Sequence, residues 1–398
     1  VTMTPERALR RAHIAAATFF FVNGAVFSSL VPRYPELKAE LGMSATLYGV
    51  VLAMNPVGAM VAGVAAATLI RRFGSARVAA VTSVGLAAGI LAAASSPTVL
   101  LLAISFLVAG AMDAIADVAQ NANALRVQER RGRSIINSMH AIWSAGAVVG
   151  GALAAGAIAL GVPLTTHILA TSGCLAVGSI LALRWALPGP DSEVGRTEQI
   201  RVAKAAGGVT PKVVLLLIAL LLIAIGGGLV EEVGFSWVSL YLRDEIGAPA
   251  QIAAAGFVGL VSAQFLGRMV SDRLVDRFGA RAVVTVAGIL VAVGIGLAIS
   301  ATSVWVACVG FALAGFGCAP TIPLAMQEAD RIPGLRPGVG LTIVTWLMRL
   351  AFLVAPPLVG AIADASSLRA GLTVSLAGGV VVVLLAFVMS SRSTQKQT

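Results

Sequence analysis

Apolar runs of about twenty residues or more recur along this chain, separated by short polar segments. Twelve such runs fall at 12–33, 44–70, 75–95, 98–125, 134–160, 163–187, 212–242, 249–275, 280–301, 303–327, 338–363 and 368–391. As helices rising about 1.5 Å per residue, they are long enough to cross a hydrocarbon layer about 30 Å thick. Strands of a membrane barrel would instead alternate apolar and polar positions over about ten residues. The pattern therefore predicts an all-α membrane protein with twelve transmembrane helices.

Composition and charge agree with a bilayer as the solvent. With 58% hydrophobic and 12% charged residues, and a mean hydropathy of +0.94, the chain has too few polar groups for a soluble globular protein. Its 43 glycines suit helices packed closely in lipid. A net charge of +10 raises nucleic acid as a partner. The basic residues sit in the short segments between apolar runs, however, where topology explains them and nucleic acid is not expected. With both termini inside, about 22 of the 28 Lys and Arg fall on the cytoplasmic side. Among these are Arg71, Arg72, Arg77, Arg126, Arg130, Arg131, Arg133, Arg273, Arg277, Arg281, Arg331 and Arg336. Arg33, Lys38, Arg243 and Arg369 fall outside, and Arg268 and Arg349 lie within predicted helices. Cys174, Cys308 and Cys318 lie in apolar runs with neither disulfide nor zinc spacing, as small packing residues do. Arg7, Arg10 and Arg11 precede a run that is too long for a signal peptide and lacks a small-residue cleavage site.

Residues 188–211 are the one long polar interruption and read as a cytoplasmic linker. It divides the chain into two pseudo-symmetric six-helix halves, 1–187 and 212–398. A repeat supports the division. Leu69-Ile70-Arg71-Arg72-Phe73-Gly74 matches Leu274-Val275-Asp276-Arg277-Phe278-Gly279, about 205 residues on, each after the second helix of its half. Parallel six-helix repeats are a transporter architecture, with the solute site near mid-membrane between the halves. The stretch 274–281, LVDRFGAR, resembles the loop 8–9 version of motif A of the major facilitator superfamily. The first-half copy differs in placing Arg71 where the motif has Asp. Phe21-Val22-Asn23-Gly24, Asp117-Val118-Ala119-Gln120-Asn121-Ala122 and Ser138-Met139-His140-Ala141-Ile142-Trp143-Ser144 resemble a bacterial inner-membrane subgroup of YbjJ type. So does Glu231 followed by Trp237 and Tyr241-Leu242; the subgroup is distantly similar to fucose–proton symporters. The resemblance implies the major facilitator fold, a bacterial cytoplasmic (inner) membrane, and a charged gate. Arg72, Gly74, Arg268, Asp272, Asp276, Arg277, Gly279 and Arg281 are the gate residues it points to.

Ionisable groups in hydrocarbon cost about 2.5–3.5 kcal/mol or more, so they normally face a bundle interior or a wet cavity. Residues 100–125 carry Asp113, Asp117 and Asn121 at i, i+4 and i+8, one polar stripe on a helix. The two carboxylates are proton-coupling candidates; the plainer reading is a cap or a pair with a neighbouring helix. Histidine titrates near physiological pH, so His140 can exchange protons with Asp117 or equally can be a neutral side chain bonded to backbone. Trp143 and Ser144 share its face, and Asn23 is near the middle of the first helix. In the second half, Gly226-Gly227-Gly228 are expected to weaken the seventh helix at a gate or bend. Glu231 is expected to join the proton-coupling set, and Glu232 to face outward near the membrane surface. Gln264 and Arg268 form an i, i+4 pair, with Arg268 expected beside Asp272 in the gate rather than on solute. Arg349 needs either a carboxylate, with Glu231 the best placed, or an anionic solute group. It would then face Asp113, Asp117 and His140 across the cavity. Trp143, Trp237 and Trp346 offer stacking surfaces, Trp237 alternatively belonging to the interfacial belt. The solute set is thus Asn23, Asn121, Trp143, Ser144, Trp237, Gln264, Trp346 and Arg349.

Drug–proton antiporters carry a helix-4 Arg where Phe106 stands here, and Gly146-x-x-x-Gly150-Gly151 lacks their helix-5 proline. No phosphate loop, metal-ligand cluster or nucleophile–base pair is legible, so neither enzyme chemistry, cofactor nor metal is expected. The expectation is a monomeric secondary active transporter that couples a small organic solute to protons, its halves rocking to alternate access. Efflux by proton antiport stands open beside uptake by symport, and a non-transporting solute receptor would share the fold.

Overall fold

A computed structural model describes residues 5–132, 134–187, 210–333, 335 and 338–391. Among them are twelve helical spans long and apolar enough to cross a membrane. The helices are α1 (Pro5–Leu30), α2 (Ala45–Phe73), α3 (Ser75–Ala94), α4 (Val99–Arg131), α5 (Ile136–Ala159), α6 (Leu164–Leu183), α7 (Pro211–Leu240), α8 (Ala250–Phe278), α9 (Ala280–Ser300), α10 (Val304–Cys318), α11 (Val339–Ala365) and α12 (Leu368–Leu385). Several reach past the apolar runs into polar sequence. The α1 span continues through a 3₁₀ turn, Val31–Arg33, into a short helix, Tyr34–Glu40. The α7 span ends in a π turn, Tyr241–Glu245. The expected run 303–327 is not one helix, since α10 stops at Cys318 and a second helix, Thr321–Asp330, follows. Pro320 and Pro323 account for the break, each removing a backbone N–H and crowding the carbonyl four residues back. Residues 188–209 of the expected linker, with Arg133 and Arg336, lie outside the described residues. Thr210 caps α7, its hydroxyl accepting from the Val213 N–H at 3.4 Å.

Contacts group the chain into two compact units, one of α1–α6 with Pro249–Val258, the other of α7 through Ala248 with the chain from Gly259 onward. Within the first, α5 and α6 pack on α1, α4 packs on α2 and α3, and α3 packs on α6. Within the second, α11 and α12 pack on α7, while α10 and α12 pack on α9. Each contact of the second plan is one of the first with six added to each helix number. The matched turns agree in detail. Gly74 and Gly279 both have φ 85°, with ψ 145° and 155°, a region open to glycine and strained for side chains. Their N–H groups close the preceding helices onto Ile70 and Val275 at 2.8 and 2.7 Å. Arg72 lies over Phe73 at 5.2 Å and Arg277 over Phe278 at 5.3 Å. Arg71 in place of the motif's Asp leaves this turn intact.

Two arginines expected as outside loop charges are spent on helix ends. Arg33 is 3% exposed; it pairs with Glu36 at 3.0 Å and donates to the Val162 carbonyl at 2.7 Å. Arg369 pairs with Glu245 at 3.1 Å and donates to the Ile299 and Ala301 carbonyls at 3.3 and 3.2 Å. Arg369 satisfies carbonyls that a terminating helix leaves open, and Arg33 one in the turn that follows α5.

Candidate functional site

The polar groups of the first unit meet because α1 and α5 touch backbone to backbone. A Cβ at Gly24 would collide with the main-chain oxygen of Trp143, one at Gly146 with that of Phe21, and one at Gly150 with that of Ala25. The Gly146-x-x-x-Gly150 spacing therefore serves close helix packing, and that packing sets Asn23 beside Trp143. Asn23 is buried, 3% exposed. Its Nδ2 donates to Asp113 Oδ1 at 2.7 Å, and its Oδ1 accepts from Trp143 Nε1 at 2.6 Å. Asp113 itself is half-buried on α4. Three expected site residues, from three helices, thus form one bonded chain.

Asp117 belongs to a separate arrangement. It is exposed and accepts from Gln120 Nε2 at 3.2 Å and Asn121 Nδ2 at 3.0 Å. Asn121 also donates to the Asp117 main-chain oxygen at 2.9 Å, so its amide is engaged along α4. His140 is exposed, its ring edge-on to Phe20 at 5.3 Å. Ser144 is buried and donates to the His140 carbonyl at 3.2 Å. Asn123, which the sequence reading passed over, is fully buried on α4 with neither side-chain polar atom hydrogen-bonded among the described residues. Its signal was a third amide on a helix that already carried Gln120 and Asn121.

In the second unit, Gly226-Gly227-Gly228 do not interrupt the helix; α7 runs unbroken from Pro211 to Leu240. They are contact points. A Cβ would press on the Gly378 carbonyl of α12 at 2.6 Å from Gly226 and on the Phe352 ring of α11 at 2.7 Å from Gly228, and would strike the Thr321 side chain from Gly227. One turn on, Glu231 pairs with Arg268 of α8 at 3.1 Å, the two side chains 21% and 32% exposed. The expected partners are corrected here: Glu231 bonds to Arg268 and not to Arg349. From sequence, Arg268 is expected beside Asp272 in the gate, but the fold brings α7 and α8 close enough for a partner on another helix. Arg349 instead lies over the Trp346 ring at 5.7 Å, and among the described residues of its unit no carboxylate pairs with it. Glu232 is half-buried in the interior of α7, where it accepts from Ser236 Oγ at 2.5 Å, and is not at a helix end. Gln264 is buried and donates to Cys318 Sγ at 3.7 Å. Trp237 is 1% exposed, which rules it out of a surface belt, whereas Trp346 is 48% exposed.

Of the residues expected at a gate, Asp272 and Asp276 are exposed. Arg281 is used inside its own unit, its Nε donating to the Met389 carbonyl and its backbone N–H to that of Ser390, each at 3.1 Å. Among the described residues, no group of three or more His, Cys, Asp or Glu is placed to hold a metal ion.

The profile of the Major Facilitator Superfamily matches residues 16–274 and 262–398. An uncharacterized transporter, y4wD of Sinorhizobium fredii, is 30% identical over 355 residues, covering 89% of this chain and 91% of the relative. The membrane protein MosC of Rhizobium meliloti is 28% identical over 370 residues, covering 92% and 88%. Among solved structures, the D-xylose-proton symporter superposes with a TM-score of 0.73 at 16% identity, covering 95% of each chain. The nucleoside transporter NupG superposes at 0.70 with 13% identity, covering 96% and 97%. Identities this low speak for the fold alone. With its twelve spans, one packing plan used twice and a family match along nearly its whole length, this chain belongs to the Major Facilitator Superfamily.

Proposed function

We propose that this transporter carries a small polar organic solute across a bacterial inner membrane by alternating access, coupled to protons, with both termini cytoplasmic. The observation that carries the reading is the bond between Asn23 and Asp113. A membrane carboxylate bonded to a cation is neutralised where it stands. One bonded to a neutral amide carries a net charge when ionised and sheds it on taking a proton, so protonation changes the charge that must cross the low-dielectric layer. This favours Asp113 over the Arg268-paired Glu231 as the proton carrier, and its half-buried position favours it over Asp117, which is also bonded to amides but is exposed. The concentration of Arg and Lys in one set of loops supports the topology. Arg349 over Trp346 offers a cation beside an aromatic face, which suits a solute with an anionic end and an apolar body.

Proteoliposomes loaded with a pH-sensitive dye test the reading against a solute panel. Pentoses and nucleosides come first, the solutes named for the fold neighbours. Solute-dependent proton movement is expected in the parent protein. It should vanish in Asp113→Asn, which keeps downhill exchange of the same solute. The sign of proton movement relative to solute movement separates symport from antiport. Proton movement that survives in Asp113→Asn removes the assignment to Asp113, and solute transport without proton movement removes the coupling.

A further inference from the structure

We infer that Trp143 sets which end of the Asn23 amide faces Asp113, and so acts as a positioning residue for the proton site and not as a stacking surface for solute. The inference rests on the assignment of Asp113 to proton coupling. An Asn side chain offers a donor NH₂ and an acceptor oxygen of nearly equal size, so either end fits a polar neighbour. An indole N–H can only donate. The 2.6 Å contact of Trp143 Nε1 therefore requires the Asn23 oxygen, which leaves the NH₂ for Asp113 Oδ1 at 2.7 Å. An NH₂ group cannot accept from a carboxyl O–H. A proton taken by Asp113 is thus directed to Oδ2, the oxygen that Asn23 does not hold. Without the indole N–H, the amide is free to turn over and accept from a proton on Oδ1.

The helix packing keeps this arrangement from adjusting. Gly24, Gly146 and Gly150 hold α1 and α5 at backbone contact, so Asn23 and Trp143 cannot slide past one another. Asp117 lies one turn from Asp113 on the same helix. At this level α1 offers Asn23, α5 offers Trp143, α2 meets Gly110 through Asn55, and α3 meets Met112 through Gly85; the titratable side chain that α5 carries one turn before Trp143 is His140.

Infrared titration of the protein in bilayers tests this without any solute, reading the carboxyl C=O band that Asp113→Asn removes. Trp143→Phe keeps the ring and loses the N–H. Its expected effect is a displaced band and a titration midpoint moved by about half a pH unit or more, since hydrogen bonds to one protonation state shift the balance between the two. Asn23→Ala tests the bond from its other side and should move the midpoint as well. In the Asn23→Ala background, Trp143→Phe should add nothing, because its effect runs through Asn23. An unmoved midpoint in Trp143→Phe overturns the inference. So does a shift of equal size in both backgrounds, which would make the effect one of packing. The absence of any titrating band removed by Asp113→Asn would overturn the Asp113 assignment itself, and this inference with it. A midpoint that moves while solute-dependent proton movement survives in Asp113→Asn leaves the positioning intact and removes only the transport role.

Discussion

At the scale of residues, the two units hold their intramembrane carboxylates by different means. Asp113 is bonded to an amide, and Glu231 to a guanidinium. The first arrangement suits a group that gains and loses a proton, and the second a pair that holds two helices together until something competes for one partner. Breaking a fully buried pair from one side costs about 3–5 kcal/mol, and exposed pairs contribute about 1 kcal/mol or less. With side chains 21% and 32% exposed, the Glu231–Arg268 pair falls between these limits. Arg268→Leu is expected to lower stability by about 1–3 kcal/mol, read as earlier thermal unfolding in detergent. Adding Glu231→Gln should recover most of the loss, because no charge is then left alone. A double variant no more stable than Arg268→Leu would show that the two do not act as a pair.

At the scale of elements, small residues decide which helices may touch. Gly150 and Gly156 stand on the same face-to-face helix, yet a Cβ at Gly150 meets the Ala25 carbonyl while one at Gly156 meets nothing. Gly150→Leu is therefore expected to push α1 from α5, destabilising by about 1–3 kcal/mol as overpacked cores do, and to disturb the Asn23–Trp143 bond. Gly156→Leu is the control and should unfold like the parent; equal loss in both would deny the backbone contact its role. The turns give a second prediction. Gly279→Ala forces a side chain to φ 85° and should cost about 1–2 kcal/mol, with Gly74→Ala behaving alike because the turn is repeated. A clear stability loss in one and none in the other would separate the two turns. The repeat was legible in sequence because each copy needs Gly at a positive φ after an Arg-Phe pair. The role of Gly226-Gly227-Gly228 was not, since a glycine that bends a helix and a glycine that lets another helix approach look the same in one dimension.

At the scale of the whole molecule, topology is open to labelling without knowledge of the solute. Arg130 and Leu160 are exposed at opposite ends of the first unit. With the three native cysteines replaced, Leu160→Cys is expected to react with a membrane-impermeant maleimide on intact cells, and Arg130→Cys only after permeabilisation. The reverse pattern would invert the proposed orientation. The twelve spans, the repeat and the set of polar residues inside the membrane were determined by the sequence alone, because hydrocarbon acts on each segment by itself. A span must be long and apolar, its charges are few, and its loops carry the Arg and Lys. The choice of partner was left to the tertiary structure. Asn23 bonds to Asp113 and Trp143 across 90 and 120 residues of chain, and Glu231 takes Arg268. Each choice depends on how far a helix is rotated and how closely its glycines let a neighbour approach, and periodicity along one strand of sequence records neither.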